Sequence, residues 1–98
     1  MRSGSTGHRV SVSLPAMLAE RTGNHRTAVS HGTTVREVIS SLEEQFPGLG
    51  FNLCQETGEL RPFVNIFLNG ENIRYLSGLD TAITPGASLH ILPSVAGG

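Results

Sequence analysis

Lysine is absent from this chain of 98 residues, in which all seven basic side chains are arginine. The chain therefore cannot be conjugated to another protein through a lysine side chain of its own. The arginines are spread singly along the sequence, and eight acidic residues bring the net charge to −1. This pattern contains no basic stripe of the kind that follows a phosphate backbone, so we do not expect nucleic acid as a partner.

Cysteine is almost absent as well, because Cys54 stands alone. A single cysteine can form neither an internal disulfide nor a cysteine-rich metal site. The four histidines, His8, His25, His31 and His90, show no metal-ligand spacing, and no Ser-His-Asp or Cys-His set is recognisable. The sequence therefore predicts no catalytic residues, no metal site and no bound cofactor.

Long hydrophobic runs are also missing. No apolar stretch approaches the roughly 20 residues of a membrane span, and the N-terminus lacks the apolar core of a signal peptide. We therefore expect a cytoplasmic protein that does not bind a membrane. The length allows one domain. We expect residues 1–8 to be a disordered lead or an expression remnant, residues 9–92 to be the folded domain and residues 93–98 to be a flexible tail.

The first folded segment has the pattern of a wide β-hairpin. Apolar and polar side chains alternate over residues 9–14, which predicts a half-buried strand, and a second short strand follows near residues 26–30. Pro15 ends the first strand, and Gly23-Asn24 is typical of a turn. We expect Met17 and Leu18 to pack beneath the connecting loop.

One long helix should follow this hairpin. Thr34 and Glu37 have the spacing of a capping box, and Pro47-Gly48 should end the helix. Apolar residues recur at helical spacing on one side, which must then cover a sheet. These residues are Val35, Val38, Ile39, Leu42 and Phe46.

The second half of the chain supplies three more strands. Residues 49–61 are expected to form an irregular loop with one helical turn near residues 51–54. The strongest strand pattern, at residues 63–68, closes at Asn69-Gly70, a pair favoured in tight hairpins. Short strands are predicted at residues 71–75 and 88–92. The fold class is therefore α+β, with a mixed sheet of about five strands and one main helix packed across it.

Two of these strands should present side chains on the face opposite the helix. If Val64, Ile66 and Leu68 face the helix, then Phe67, His90 and Leu92 point outward and form an apolar patch beside the root of the tail. Such a patch suits the docking of a protein partner. The alternative is that loop residues cover it, or that one aromatic belongs to the core of a two-sided strand.

The chain ends in a tail of small residues: Pro93, Ser94, Val95, Ala96, Gly97 and Gly98. Proline cannot donate to a sheet ladder, so it stands where pairing stops. Six extended residues reach about 20 Å at most. Glycine has no Cβ and can enter a narrow channel, so we interpret the Gly98 carboxylate as the functional group. The alternative is an ordinary loose chain end.

The order of elements and the closing sequence resemble the ubiquitin-like β-grasp sulfur carriers of the ThiS/MoaD family. The resemblance covers nearly all of residues 9–98 and is most specific at the end, where a proline after the last strand leads to Gly-Gly. A second match is the run Phe-Val-Asn-Ile-Phe-Leu-Asn that starts at Phe63. Within the family, the starts at Val10 and Arg61 look most like the carrier used in mycobacterial-type cysteine synthesis.

The resemblance implies a chemistry in which partners act on Gly98. An E1-like enzyme would use ATP and Mg to adenylate the carboxylate, and a sulfur source would convert it to a thiocarboxylate. The implied partners also include a downstream sulfur-accepting synthase and a metalloprotease that releases the product. The resemblance favours cysteine or a sulfur-containing secondary metabolite as the product, ahead of thiazole or molybdopterin. Molybdopterin subunits more often have an acidic Gly-Asp pair where this chain has Pro85-Gly86-Ala87. This implies a protein co-substrate and not an enzyme.

Two other functions remain open from the sequence. A ubiquitin-like modifier would use the same activation of Gly98 but would end in an isopeptide bond to a target lysine. A plain β-grasp interaction domain would bind through the patch of Phe67, His90 and Leu92 and would tolerate the loss of Gly97 and Gly98. A β-grasp ferredoxin is excluded, because its cluster needs four thiolates.

Overall fold

In the computed structural model, residues 7–93 are described. They form five strands, which are β1 (His8–Ser13), β2 (Thr27–Gly32), β3 (Val64–Leu68), β4 (Glu71–Asn72) and β5 (Ser88–Pro93). The α-helices of this part are α1 (Ala19–Thr22), α2 (Val35–Gln45) and α3 (Leu49–Leu53). Single 3-10 turns lie at Ala16–Leu18, Ile73–Tyr75 and Gly78–Asp80. The predicted α+β class and the predicted order of the main elements are confirmed.

The strands form one mixed sheet in the order β2-β1-β5-β3-β4. The first and last strands, β1 and β5, lie side by side and run parallel, while the other neighbours are antiparallel. The strand that leads to the C-terminus is therefore the central strand, with a hydrogen-bonded neighbour on each side. This arrangement gives the tail a firm root.

The main helix begins where the capping pattern predicts. Thr34 Oγ1 accepts a hydrogen bond from the backbone N–H of Glu37 at 3.2 Å, which satisfies one of the unpaired donors of the first turn. The Glu37 carboxylate accepts from the backbone N–H and the hydroxyl of Thr33, both at 2.7 Å. These bonds lower the pKa of Glu37, with the backbone bond from Thr33 as the largest cause. In a standard capping box the Glu37 carboxylate would accept from the N–H of the cap residue, Thr34. Here it accepts instead from the N–H of Thr33, the residue before the cap.

The core lies between α2 and one face of the sheet. The three residues of β3 that are predicted to face the helix are buried, and so is the stripe of α2, although Phe46 after the helix is only partly buried. The buried apolar residues of the strands and of α2 are Val10, Val12, Val64, Ile66, Leu68, Leu89, Ile91, Val35, Val38, Ile39 and Leu42. Ser30 is a buried polar residue whose hydroxyl donates to the carbonyl oxygen of Val38 at 2.9 Å and so joins β2 to α2.

Two turns follow the predicted chemistry. Asn69 and Gly70 have φ values of 50° and 89°, as a two-residue hairpin between β3 and β4 requires. A second tight connection joins α2 to α3, where Gly48 has a φ of 96°. There the Glu43 carboxylate accepts hydrogen bonds from the backbone N–H groups of Gly48 and Gly50 at 2.8 and 2.7 Å. Glu43 therefore holds α3 at a fixed angle to α2.

The structure differs from the sequence interpretation in several places. The helical turn expected near residues 51–54 is the helix α3, at Leu49–Leu53. The predicted strand at residues 71–75 ends at Asn72, because the Asn72 side chain accepts from the N–H of Arg74 and starts a 3-10 turn that buries Ile73. Met17 does not pack beneath the loop and is 45% exposed, while Leu18 is buried as expected. The first and last strands each extend one residue beyond residues 9–92, to His8 and Pro93.

Candidate functional site

The root of the tail lies at the end of β5. Pro93 is paired with Val64 and Leu92 with Asn65 across the antiparallel ladder to β3. Proline has no backbone N–H to donate to the ladder, and this is tolerated at Pro93 because it is the last residue of the strand. Ser94, Val95, Ala96, Gly97 and Gly98, which the sequence interpretation assigns to partner threading and activation, lie outside the described residues.

The predicted patch residues share one face of the sheet. Phe67 and His90 stand directly opposite each other on β3 and β5, and Leu92 is the next outward residue of β5. Phe67 is half-buried, His90 is exposed and Leu92 is 45% exposed. This face is opposite α2, and its half toward β1 and β2 is lined by hydroxyl side chains such as Ser11 and Thr27. The patch remains a prediction as a docking site, but its geometry is as expected.

A tight turn delivers the chain into β3 beside the tail root. The N–H of Val64 donates to the carbonyl oxygen of Arg61 at 3.1 Å. Arg74 fastens the same turn from the outside, because its Nη2 donates to the carbonyl oxygens of Arg61 at 2.9 Å and Val64 at 2.8 Å. Three hydrogen bonds therefore hold the backbone on either side of Phe63.

A second group of exposed apolar side chains surrounds this turn, and the sequence interpretation did not identify it. Met17, Phe51 and Phe63 are 45%, 66% and 46% exposed and line one groove of about 390 Å³ together with Arg61. We call these four residues the end cluster. The first and the last of the four, Met17 and Phe63, are 46 positions apart in the sequence, so no local pattern links them. The one available signal was that Phe63 is outward by strand alternation.

The ionisable groups give no sign of a catalytic or metal centre within residues 7–93. Burial raises the pKa of the Cys54 thiol, against smaller effects of Arg36 and Arg61, so the thiolate is disfavoured. No cluster of three or more His, Cys, Asp or Glu side chains in this part could hold a metal ion. None of the helices described is long and apolar enough to cross a membrane.

The mixed sheet, the helix across it and the tail that leaves the central strand define a ubiquitin-like β-grasp protein. The chain belongs to the ThiS family, whose model matches residues 12–98. It is 43% identical over 91 residues to the sulfur carrier protein CysO of Mycobacterium tuberculosis. The aligned region spans 91% of this chain and 98% of that protein. The predicted resemblance to this carrier is confirmed.

Two further relatives bear on function. The small archaeal modifier protein 3 of Haloferax volcanii is 39% identical over 70 residues, which span 71% of this chain and 75% of that protein. The crystal structure of the BexX/CysO complex of Amycolatopsis orientalis contains a chain that superimposes with a TM-score of 0.84 at 37% identity. That match covers 91% of this chain and 99% of the other.

Proposed function

We propose that this protein is a sulfur carrier whose C-terminal Gly98 is adenylated by an E1-like enzyme and converted to a thiocarboxylate. The observation that supports this most is the match to a sulfur carrier protein over 98% of that protein's length. Family membership extends to Gly98, since the model match ends at that residue. The central position of β5 is consistent with a body that anchors a reactive tail.

The chemistry follows from the poor electrophilicity of a carboxylate. The enzyme joins the Gly98 carboxylate to the α-phosphate of ATP, which releases pyrophosphate and leaves an acyl-adenylate. Sulfide or a persulfide sulfur, the latter with a reductant, then displaces AMP and leaves a thiocarboxylate. ATP and Mg are bound by the partner. This chain supplies the acyl group and the surface that positions it, so it is a co-substrate and not a catalyst.

The tail allows this reaction to occur in a closed site. Water would hydrolyse the adenylate, so the partner must enclose Gly98. The folded body is too large to enter such a site, and the thin tail of Gly97 and Gly98 lets it remain outside. The thiocarboxylate is then a nucleophile that a sulfur-accepting synthase can use.

The sulfur is proposed to end in cysteine or in a sulfur-containing secondary metabolite. The relatives named CysO support these routes, and one of them occurs in a complex with BexX. If the acceptor's product stays attached to Gly98, a metalloprotease is needed to release it. Thiazole and molybdopterin are weaker candidates; against molybdopterin stands the sequence Pro85-Gly86-Ala87, which lacks the acidic pair common before the last strand of molybdopterin subunits.

Intact-mass spectrometry with C-terminal fragmentation tests the proposal. The protein is incubated with ATP, Mg, a sulfide source and an E1-like enzyme that is shown to be active on its own carrier. We expect an exchange of oxygen for sulfur that fragmentation localises to Gly98. Localisation is essential, because oxidation of a methionine or of Cys54 adds nearly the same nominal mass. An unmodified Gly98 under these conditions contradicts the proposal.

A second candidate function is protein modification through Gly98, which the likeness to the archaeal modifier protein favours. A modifier would form an isopeptide bond between Gly98 and a lysine of another protein. Immunoblots of cell extract would then show conjugates of higher mass that disappear when Gly97 and Gly98 are deleted. A thiocarboxylate without such conjugates supports the carrier alone.

A further inference from the structure

The end cluster is an exposed apolar groove with one cation at its border. Its apolar walls are Met17, Phe51 and Phe63, each at least 45% exposed, and Arg61 lies beside them. Leaving three large apolar side chains of one groove in water is unfavourable unless a partner covers them. The feature therefore needs an explanation that the sheet-face patch does not supply.

The groove is located beside the root of the tail. Phe63 directly precedes Val64, the residue paired with Pro93. Met17 lies just beyond the C-terminal end of β1, which runs parallel to β5 and so ends at the same edge of the sheet. The two side chains thus come from the connections of both neighbours of β5. Phe51 of α3 completes the groove on the helix side.

The groove is held in place before any partner arrives. Arg61 Nε donates to the carbonyl oxygen of Phe51 at 2.6 Å and so ties α3 to the turn before β3. Arg74 fixes the carbonyl oxygens at both ends of that turn. Phe51 and Phe63 are therefore on supported backbone, which reduces the entropy that binding must overcome.

The length of the tail limits where a partner can be. Five residues follow Pro93, and five extended residues reach about 17 Å. When Gly98 is inside a partner's active site, the mouth of that site must lie within this distance of Pro93. The surface around Pro93 must then face the rim of the mouth, and the end cluster is part of that surface.

The charge of the groove indicates what the rim carries. The Arg61 guanidinium uses Nε for a backbone carbonyl. Within residues 7–93 the one ion pair is between Arg36 and Asp80, at 3.2 Å, so Arg61 has no carboxylate partner in that part. A carboxylate on the rim would supply a charge-assisted hydrogen bond there.

We propose that the end cluster docks on the channel rim of the enzyme that adenylates Gly98, and that this rim presents apolar side chains beside a carboxylate. The assignment rests on the proposed function. It adds a second docking surface at the end of the sheet, distinct from the face that bears Phe67, His90 and Leu92. Both surfaces meet at the end of β5.

Steady-state kinetics of thiocarboxylation, with the E1-like enzyme that modifies the wild-type chain, tests this assignment. The double variant Phe51→Ser, Phe63→Ser should raise KM about tenfold, since central apolar anchors dominate binding. Its kcat should stay within about twofold, because the saturated complex places the same Gly98 in the same site. Arg61→Gln should raise KM about threefold and make kcat/KM less dependent on ionic strength.

Tyr75→Ser is the matched control. Tyr75 is an aromatic residue that is 86% exposed and follows β4, on the other side of β3 from the tail root. Its replacement should leave KM unchanged. The urea unfolding midpoint of Tyr75→Ser should match the wild type, because that side chain is 86% exposed. The midpoints of the double variant and of Arg61→Gln should fall modestly, because Phe63 is about half-buried and Arg61 loses its bond to the carbonyl oxygen of Phe51. The kinetics are therefore measured under conditions in which the urea curves show every variant to be fully folded.

Four results would overturn the assignment. One is an unchanged KM in the folded double variant. A second is a lowered KM, which would mean that the groove holds the chain's own residues 94–98 before binding. A third is a wild-type dimer that the double variant dissociates in sedimentation, which would make the occupant a second copy. If the wild type itself gains no thiocarboxylate, the proposed function fails and the assignment falls with it.

Discussion

At the scale of single residues, the proposed activity depends on what the last two positions lack. Gly97 and Gly98 have no Cβ, so the backbone beside the reacting carboxylate is as thin as a polypeptide can be. Every other functional group of the reaction comes from the partner. The remainder of the chain can therefore be selected for docking and for stability without the constraints of a catalytic site.

Replacing Gly97 by alanine should damage modification far more than folding. The added methyl group would meet the wall of a channel built for glycine and would restrict the backbone angles next to Gly98. We expect kcat/KM for thiocarboxylation to fall by at least about tenfold, which corresponds to about 1.4 kcal/mol. Mass spectrometry of timed reactions gives the rates. Modification at the wild-type rate would contradict the channel argument.

At the scale of secondary-structure elements, the junction of α2 and α3 is organised by one carboxylate. Hydrogen bonds from the N–H groups of Gly48 and, second, Gly50 hold the pKa of Glu43 below its ordinary value of 4.5, with a smaller effect of Arg21. The same junction orients α3 and hence Phe51. A surface that we assign to docking is thus supported by the hydrogen bonds that Glu43 accepts at the N-terminal end of α3.

This junction predicts a pH dependence. A carboxylate whose pKa is lowered on folding stabilises the native state above its unfolded pKa, and this contribution is lost as the pH falls through the folded value. Glu43→Gln should therefore lower the free energy of unfolding at pH 7, and the deficit relative to the wild type should shrink below pH 4.5. Urea titrations at pH 7 and at about pH 3.5 measure both effects.

The neighbouring Glu44→Gln variant is the control for this experiment. Glu44 is exposed and accepts none of the hydrogen bonds that organise the junction. It should unfold like the wild type at pH 7. An equal loss of stability in both variants would show that the helix charge, and not the bonds to Gly48 and Gly50, is responsible.

At the scale of the whole molecule, the residues that form the core and the residue proposed to react lie in different parts of the chain. Within residues 7–93, the core is formed by the sheet, α2, α3 and their connections. The proposed reacting group, the Gly98 carboxylate, lies five residues past the end of β5 in the sequence. The strand that precedes the tail, β5, lies at the centre of the sheet and is paired on both sides.

Deleting Gly97 and Gly98 should therefore separate the two properties. We expect the urea midpoint to be unchanged and the gain of sulfur to be abolished, because the new terminus at Ala96 is about 7 Å short of the position of Gly98. Binding to the E1-like enzyme should weaken but persist through the docking surfaces. A truncated chain that retained all cellular activity would instead support a passive interaction domain.

Much of the fold was accessible from local patterns, and the failures have local causes. The alternation in β1, β3 and β5 and the cap at Thr34 identify elements whose short-range preferences agree with their burial. The strand predicted at residues 71–75 failed because the Asn72 side chain competes with the ladder for the N–H of Arg74. Met17 was misplaced because a connecting segment has no periodicity that reveals which side chain turns inward.

The sequence by itself determined the α+β class and the family resemblance, because those depend on periodicity and on a terminal motif, and from the same motif it predicts the chemistry proposed for Gly98. Tertiary structure alone decided that β5 is the central strand, paired in parallel with β1, since strand order depends on contacts between distant segments. It also brought Met17, Phe51 and Phe63 to one groove, in which Phe63 directly precedes the residue paired with Pro93. Residues so far apart in the chain become neighbours only when a shared core fixes the elements between them.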